Sequence, residues 1–193
     1  MPQSWSGIRK RLEQDLLCQS LRGRVQYFRT IYNRAPDQYG RFAVRVDGAE
    51  WFRANPWNEN RYYEIEDMLR EERNIPLRKW TGNRCLYDEE NTQVEEEARL
   101  ASANEGIVDS YDVPRAIQKY LNQGIEESLA DQDPVVRMFA ILDRRVGKRR
   151  LREMEEGDHA EGNCAEKQPE WLRKFYKLRL EAEGQKDYCW DNT

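Results

Sequence analysis

The segment VQYFRTIYNRAPDQYGRFAVRVDGAEWF, residues 25–52, decides the fold. Its first part has a period of two. Val25, Tyr27, Arg29 and Ile31 fall on one side of an extended chain, and Gln26, Phe28, Thr30 and Tyr32 fall on the other. Ala35 to Gly40 then supplies the Pro, Asp and Gly of a turn. Phe42, Val44 and Val46 alternate with Ala43, Arg45 and Asp47, and Asp47-Gly48 is the two-residue signal of a tight hairpin leading into Ala49 to Phe52. A three-stranded antiparallel meander follows from this pattern. Such a sheet has two unpaired edges, so further strands or a partner should cover one of them.

Outside the meander the period lengthens to that of helices. Trp5, Ile8, Leu12 and Leu16 make one stripe, with Ser4 or Ser6 as cap and Gly23 as stop, which predicts an opening helix laid on the sheet. After Pro56, the spacing of Tyr62, Ile65, Met68 and Leu69 is helical, and Asn74 to Asn91 reads as a surface loop. Thr92 to Glu95 has the form of a capping box for a helix that runs to about Asn104. Asp112 and Pro114 open another, with Val113, Ile117 and Leu121 on one face. Asp133-Pro134 opens the longest, read to Arg152, and a last helix starts near Pro169 with Trp171, Phe175, Leu178 and Ala182 on one face. The fold class is therefore α+β: an N-terminal helix on a small antiparallel meander, followed by several packed helices. One domain is expected over 1–193, made of helix plus meander (1–55), a helix, loop and acidic helix (56–111), a helical part (112–184) and a tail (185–193).

Of 193 residues, 38% are hydrophobic and 35% charged, so six Trp, ten Tyr and five Phe must supply much of the core. No apolar run is long enough to span a bilayer, and no signal-peptide stretch opens the chain, which predicts a cytoplasmic protein that avoids the membrane. The four cysteines, at 18, 85, 164 and 189, have neither disulfide-framework nor metal-ligand spacing, so reduced thiols and no metal site are expected. Net charge is -4, yet residues 134–152 hold seven basic residues against one acid, Asp143. One basic stretch thus sits on an acidic body.

Catalytic patterns are sparse. The single histidine, His159, lies five residues before Cys164 in a polar linker, and no phosphate-binding glycine loop is present, so no cofactor is called for. Carboxylates recur at Glu64, Glu66 and Asp67 and at Glu95 to Glu97, which keeps a carboxylate-dependent hydrolase open. Trp51, Phe52, Trp57, Tyr62 and Tyr63 cluster with Arg53 and Arg61, readable either as a stacking site or as core. Asp88 to Glu97 carries six acids that could pair with, or mask, the basic stretch.

On an unbroken helix from Val135, Met138, Phe139, Leu142 and Val146 form the inward stripe while Arg137, Arg144 and Lys148 face solvent. The same count turns Arg149 and Arg150 inward, and Gly147 marks the conflict. Either the helix breaks there or both arginines are paired in the interior. The second is expected, since an unpaired buried charge is costly and Arg suits bidentate contact with carboxylates. Arg149 and Arg150 are then structural ion pairs, and Arg137, Arg144, Arg145, Lys148 and Arg152 remain for a partner.

Three segments, Trp5 to Gly48, Ala116 to Leu151 and Phe175 to Gly184, together resemble an uncharacterised family of bacterial proteins of about 200 residues, most distinctively in LDRRVGKRRL at 142–151. The resemblance implies a self-contained bacterial cytoplasmic protein and brings no activity with it. The leading expectation is a non-enzymatic interaction or regulatory protein whose partner is another protein. An RNA- or DNA-binding module using 134–152 is the alternative, and the carboxylate hydrolase is the second.

Overall fold

The computed structural model describes residues 4–31, 40–56, 59–81, 84–85, 88–157 and 168–184. Helix α1, Trp5–Lys10, starts where the Ser4 hydroxyl accepts the Gly7 N–H at 3.3 Å. It widens into a π-helical turn over Arg11–Leu16, closed by Leu17 N–H donating to the Leu12 carbonyl at 3.0 Å. Leu12 is buried, and Trp5, Ile8 and Leu16 pack at its sides. The helix ends at Leu16 rather than at Gly23, because the next residues leave it to bond elsewhere: Cys18 N–H donates to the Leu142 carbonyl at 2.9 Å.

Strands β1 (Val25–Ile31), β2 (Gly40–Val46) and β3 (Ala49–Ala54) form the expected antiparallel meander in chain order. The Asp47-Gly48 turn has the two left-handed residues its sequence demands, with φ of 49° and 84°. On the inner face Tyr27 and Phe42 pack against Phe139 with ring centres 5.5 and 6.3 Å apart. On the outer face the Phe28 ring lies between the guanidinium groups of Arg9 and Arg45, at 5.2 and 4.3 Å. The turn read at Ala35 to Gly40 lies outside the described residues except for Gly40 itself, which begins β2.

Helix α2 spans Glu59–Arg73; it buries Ile65 but leaves Met68 exposed. The stretch read as plain loop contains a two-stranded ribbon, β4 (Trp80–Thr81) with β5 (Arg84–Cys85). Helix α3, Glu89–Asn104, begins one turn earlier than the Thr92 capping box predicts. Asp88 takes the cap by accepting the Asn91 N–H at 3.3 Å, and Thr92 lies inside the helix with its hydroxyl on the Asp88 carbonyl. Helices α4 (Asp112–Asn122), α5 (Ile125–Leu129), α6 (Pro134–Leu142), α7 (Lys148–Gly157) and α8 (Glu170–Gly184) complete the chain.

The long helix of the sequence reading is two helices. Asp133 caps α6 by accepting the Val135 N–H at 2.9 Å, as expected, and all nine residues of α6 are buried. It stops at Leu142, since Asp143 turns its carboxylate to the Tyr120 hydroxyl at 2.5 Å. The chain restarts at Lys148, just past Gly147, and the new phase carries Leu151 into the core and Arg149 and Arg150 outward. Leu12→Ala removes a buried side chain at the meeting of the π-helical turn and the core. It should lower unfolding free energy in urea by about 2 to 5 kcal/mol, whereas a change below about 0.5 kcal/mol would place this turn outside the core.

Candidate functional site

The break in the long helix rearranges the predicted basic face. Arg137 is only 8% exposed, because other helices surround α6, and its guanidinium reaches Asn104 Oδ1 at 3.4 Å. It is not the surface cation the periodicity suggests. Arg145 folds back on Asp143, with its Nε at 2.9 Å and Nη2 at 2.5 Å from Oδ2. Arg149 has a side chain 93% exposed and pairs within α7 with Glu153 at 2.9 Å, while Arg150 meets Glu126 at 3.0 Å on the surface. The expectation that Arg149 and Arg150 enter the interior is therefore corrected: the restart at Lys148 removes the conflict that would have forced them in. Arg144 and Arg152 are exposed and Lys148 is half-buried.

The acidic run does not cover this stretch. Glu95 pairs with Arg78 at 2.8 Å, Glu96 with Arg99 at 2.8 Å and with Arg115 at 3.1 Å, and Glu97 with Arg73 at 2.6 Å. The aromatic cluster divides. Phe52 stacks on Trp171 at 5.0 Å and Trp51 meets Phe175 at 5.8 Å, so both serve the core, while Tyr62 and Tyr63 lie edge to face beside α3. Trp57, His159, Cys164 and Cys189 lie outside the described residues, and Cys18 is a free, buried thiol. Among the described residues, no group of three or more His, Cys, Asp or Glu could hold a metal ion, and no helix is long and apolar enough to cross a membrane.

Two clefts stand out, with Tyr111 on the rim of both. The first, of about 520 Å³, opens between α1, the far end of the β1–β2 hairpin and α4. Its apolar floor includes Trp5, Ile8, Phe42, Val113, Ile117 and Leu121. Arg11, Arg29 and Arg41 are its only charged lining residues among those described. Arg41 pairs with Glu50, but neither Arg11 nor Arg29 has an acidic partner among the described residues. Gly40 fits this wall because a Cβ there would lie 2.8 Å from the Thr30 carbonyl oxygen. Sequence reasoning passed over these arginines, although one signal was present. Arg29 occupies an inward phase of β1, after Val25 and Tyr27, where the strand pattern asks for an apolar residue.

The second cleft, of about 510 Å³, lies between α2, α3 and the start of α4, and its lining includes Tyr62, Tyr63, Glu96, Arg99, Asp109 and Asp112. Burial pushes the Asp112 carboxyl up to about 6; Asp109 and Asp133 add to the shift, and Arg99 and Arg115 oppose it. No hydrogen-bond donor reaches that carboxyl among the described residues. Arginine partners instead hold Glu96 and Glu97 below the usual carboxylate range.

An α+β fold of a three-stranded meander clasped by helices, with two clefts meeting at one tyrosine, is the class of structure these observations define. Residues 4–180 match the SF0329 protein family, and the chain belongs to it. Comparison with curated proteins and with solved structures returned no match.

Asp112 gives this site a pH signature. Its folded carboxyl keeps its proton up to a pH near 6 against an ordinary value of 3.8, so the native state holds the extra proton between these limits. Stability from this group is therefore full in acid and lost as pH rises through that window. Asp112→Asn should raise the melting temperature at neutral pH, and the gain should vanish below about pH 4. An equal effect at both pH values would contradict the assignment.

Proposed function

We propose that this is a non-enzymatic interaction protein of the bacterial cytoplasm, taking a carboxylate-bearing segment of a partner protein in the arginine-lined cleft. One observation carries the reading. On a chain of net charge -4, the first cleft gathers three guanidinium groups and no carboxylate among its described lining residues, over an apolar floor. Cations beside apolar surface and short of counter-ions gain most from an anionic ligand, and they attract it over a distance. The apolar floor adds contact area that a purely ionic ligand would leave unused.

The rival readings draw less support. Glu95, Glu96 and Glu97 are each engaged by arginine, and the arginines hold Glu96 and Glu97 low, which makes those two poor proton donors near neutral pH. Along 134–152, Arg137 is buried, and Arg145, Arg149 and Arg150 each face a carboxylate, which leaves little unopposed positive charge for a nucleic acid.

Calorimetric titration with an alternating Glu-Val hexapeptide tests the proposal. Arg11→Glu and Arg29→Glu should each weaken binding by about tenfold or more with the melting temperature unchanged, and Arg144→Glu should bind as wild type. If Arg144→Glu loses binding while Arg29→Glu keeps it, or if a mixed oligonucleotide binds with steep salt dependence, the nucleic-acid reading replaces this one.

A further inference from the structure

The sheet has two edges, at β3 and at β1, and each meets other parts of the chain at particular backbone groups. At β3 the Lys174 ammonium donates to the Trp51 carbonyl, and Asn55 N–H, just past the strand, donates to the Val108 carbonyl at 3.3 Å. At β1 the Glu13 carboxylate accepts the Tyr27 N–H at 2.8 Å. That bond fixes the phase of the strand. Tyr27 stands opposite Val44 and sends its N–H away from β2, so by strict alternation Val25, Arg29 and Ile31 also turn their backbone groups outward. Arg22 forms a bridge with Val25, and Glu13 serves Tyr27. Beyond them, the outward groups of Arg29 and Ile31 have no hydrogen-bond partner among the described residues. Arg29 and Ile31 are both exposed, and both line the arginine-rich cleft.

We infer that the partner segment binds as an added β-strand along Arg29 to Ile31, its acidic side chains on the inner face, where they meet Arg29 and Arg11, and its alternate side chains turned to the opposite face; this rests on the function proposed above. Strand addition supplies affinity through main-chain hydrogen bonds, which any sequence can make, and leaves selection to the side chains beside the edge. Here those side chains select for negative charge. A second copy of the chain fits poorly, because pairing β1 with β1 about this edge would bring the uncompensated Arg29 guanidinium groups of the two copies into one cleft. An open edge beside uncompensated arginines is also guarded against casual pairing, since charge on an edge strand discourages aggregation.

The test uses the full-length protein labelled with ¹⁵N and the alternating Glu-Val hexapeptide, with a Lys-Val hexapeptide as control. On binding the Glu-Val peptide, amide exchange at Arg29 and Ile31 should slow by roughly tenfold or more, and the Lys-Val peptide should leave it unchanged. Two further peptides carry backbone N-methyl groups on alternate residues. One phase should bind like the parent and the other should lose about tenfold or more in affinity, because only one set of N–H groups faces the strand. If the peptide binds and Arg29→Glu abolishes binding, yet both N-methylated phases bind alike and the two amides stay unprotected, strand addition is wrong while the cleft remains a binding site. If the Glu-Val peptide fails to bind at all, the proposed function falls and this inference falls with it. Protection of the same amides by a mixed oligonucleotide but not by the peptide would overturn the choice of partner.

Discussion

The buried carboxylate of Asp143 is the constraint on which the rest of the molecule depends. It accepts the Tyr120 hydroxyl at 2.5 Å, both Arg145 side-chain donors, and the Arg145 N–H at 2.8 Å. A charge fully out of water is tolerable only with such partners, and once they are in place the chain cannot continue as helix. Burial, reinforced by the charge of Asp143, holds the Tyr120 hydroxyl protonated far above the usual phenol range, so it stays a donor to this carboxylate.

The backbone on either side of Asp143 does the joining. The Leu142 carbonyl accepts from Cys18, the Arg144 N–H donates to the Leu16 carbonyl at 2.7 Å, and the Val146 carbonyl accepts from the buried Arg179 of α8 at 2.8 Å. The segment from Leu142 to Val146 thereby fastens the N-terminal segment, α4 and α8 to the end of α6. This accounts in structural terms for the most distinctive stretch of the sequence, whose arginines read at first like a binding site. It also positions the arginine-lined cleft. One wall begins at the helix that ends in Leu16, the other is α4 held by Tyr120, and both are referred to the same carboxylate.

Much of the fold was legible in the sequence because the deciding signals are local. Period two gave the meander, Asp47-Gly48 its hairpin, and Asp133-Pro134 the start of α6. The end of α6 was not legible, since Val135 to Leu142 continue the helical stripe and the bond that breaks it comes from Tyr120, more than twenty residues away. The conflict at Arg149 and Arg150 did carry the warning. It was resolved by a restart of the helix, which costs less than burying two guanidinium groups. The start of α3 was misjudged because Asp88 and Thr92 both look like caps, and the earlier one prevails. The cleft was least visible. It needs Arg11, Arg29 and α4 to converge, and the one local clue was a charged residue in an inward strand phase. Asp112 is similar, for its raised carboxyl comes from burial among elements that are distant in sequence.

The most direct measurement is chemical denaturation of two neighbours in the same string, Asp143→Ala and Arg144→Ala. If Asp143 ties the molecule together, its loss leaves the buried Tyr120 hydroxyl without its acceptor and releases Arg145 and its backbone N–H, and it should cost about 1 to 3 kcal/mol. Arg144, whose contribution is its backbone N–H, should then be replaceable with a change of no more than about 0.5 kcal/mol. Equal stability of the two variants, or a larger loss at Arg144, would contradict the account.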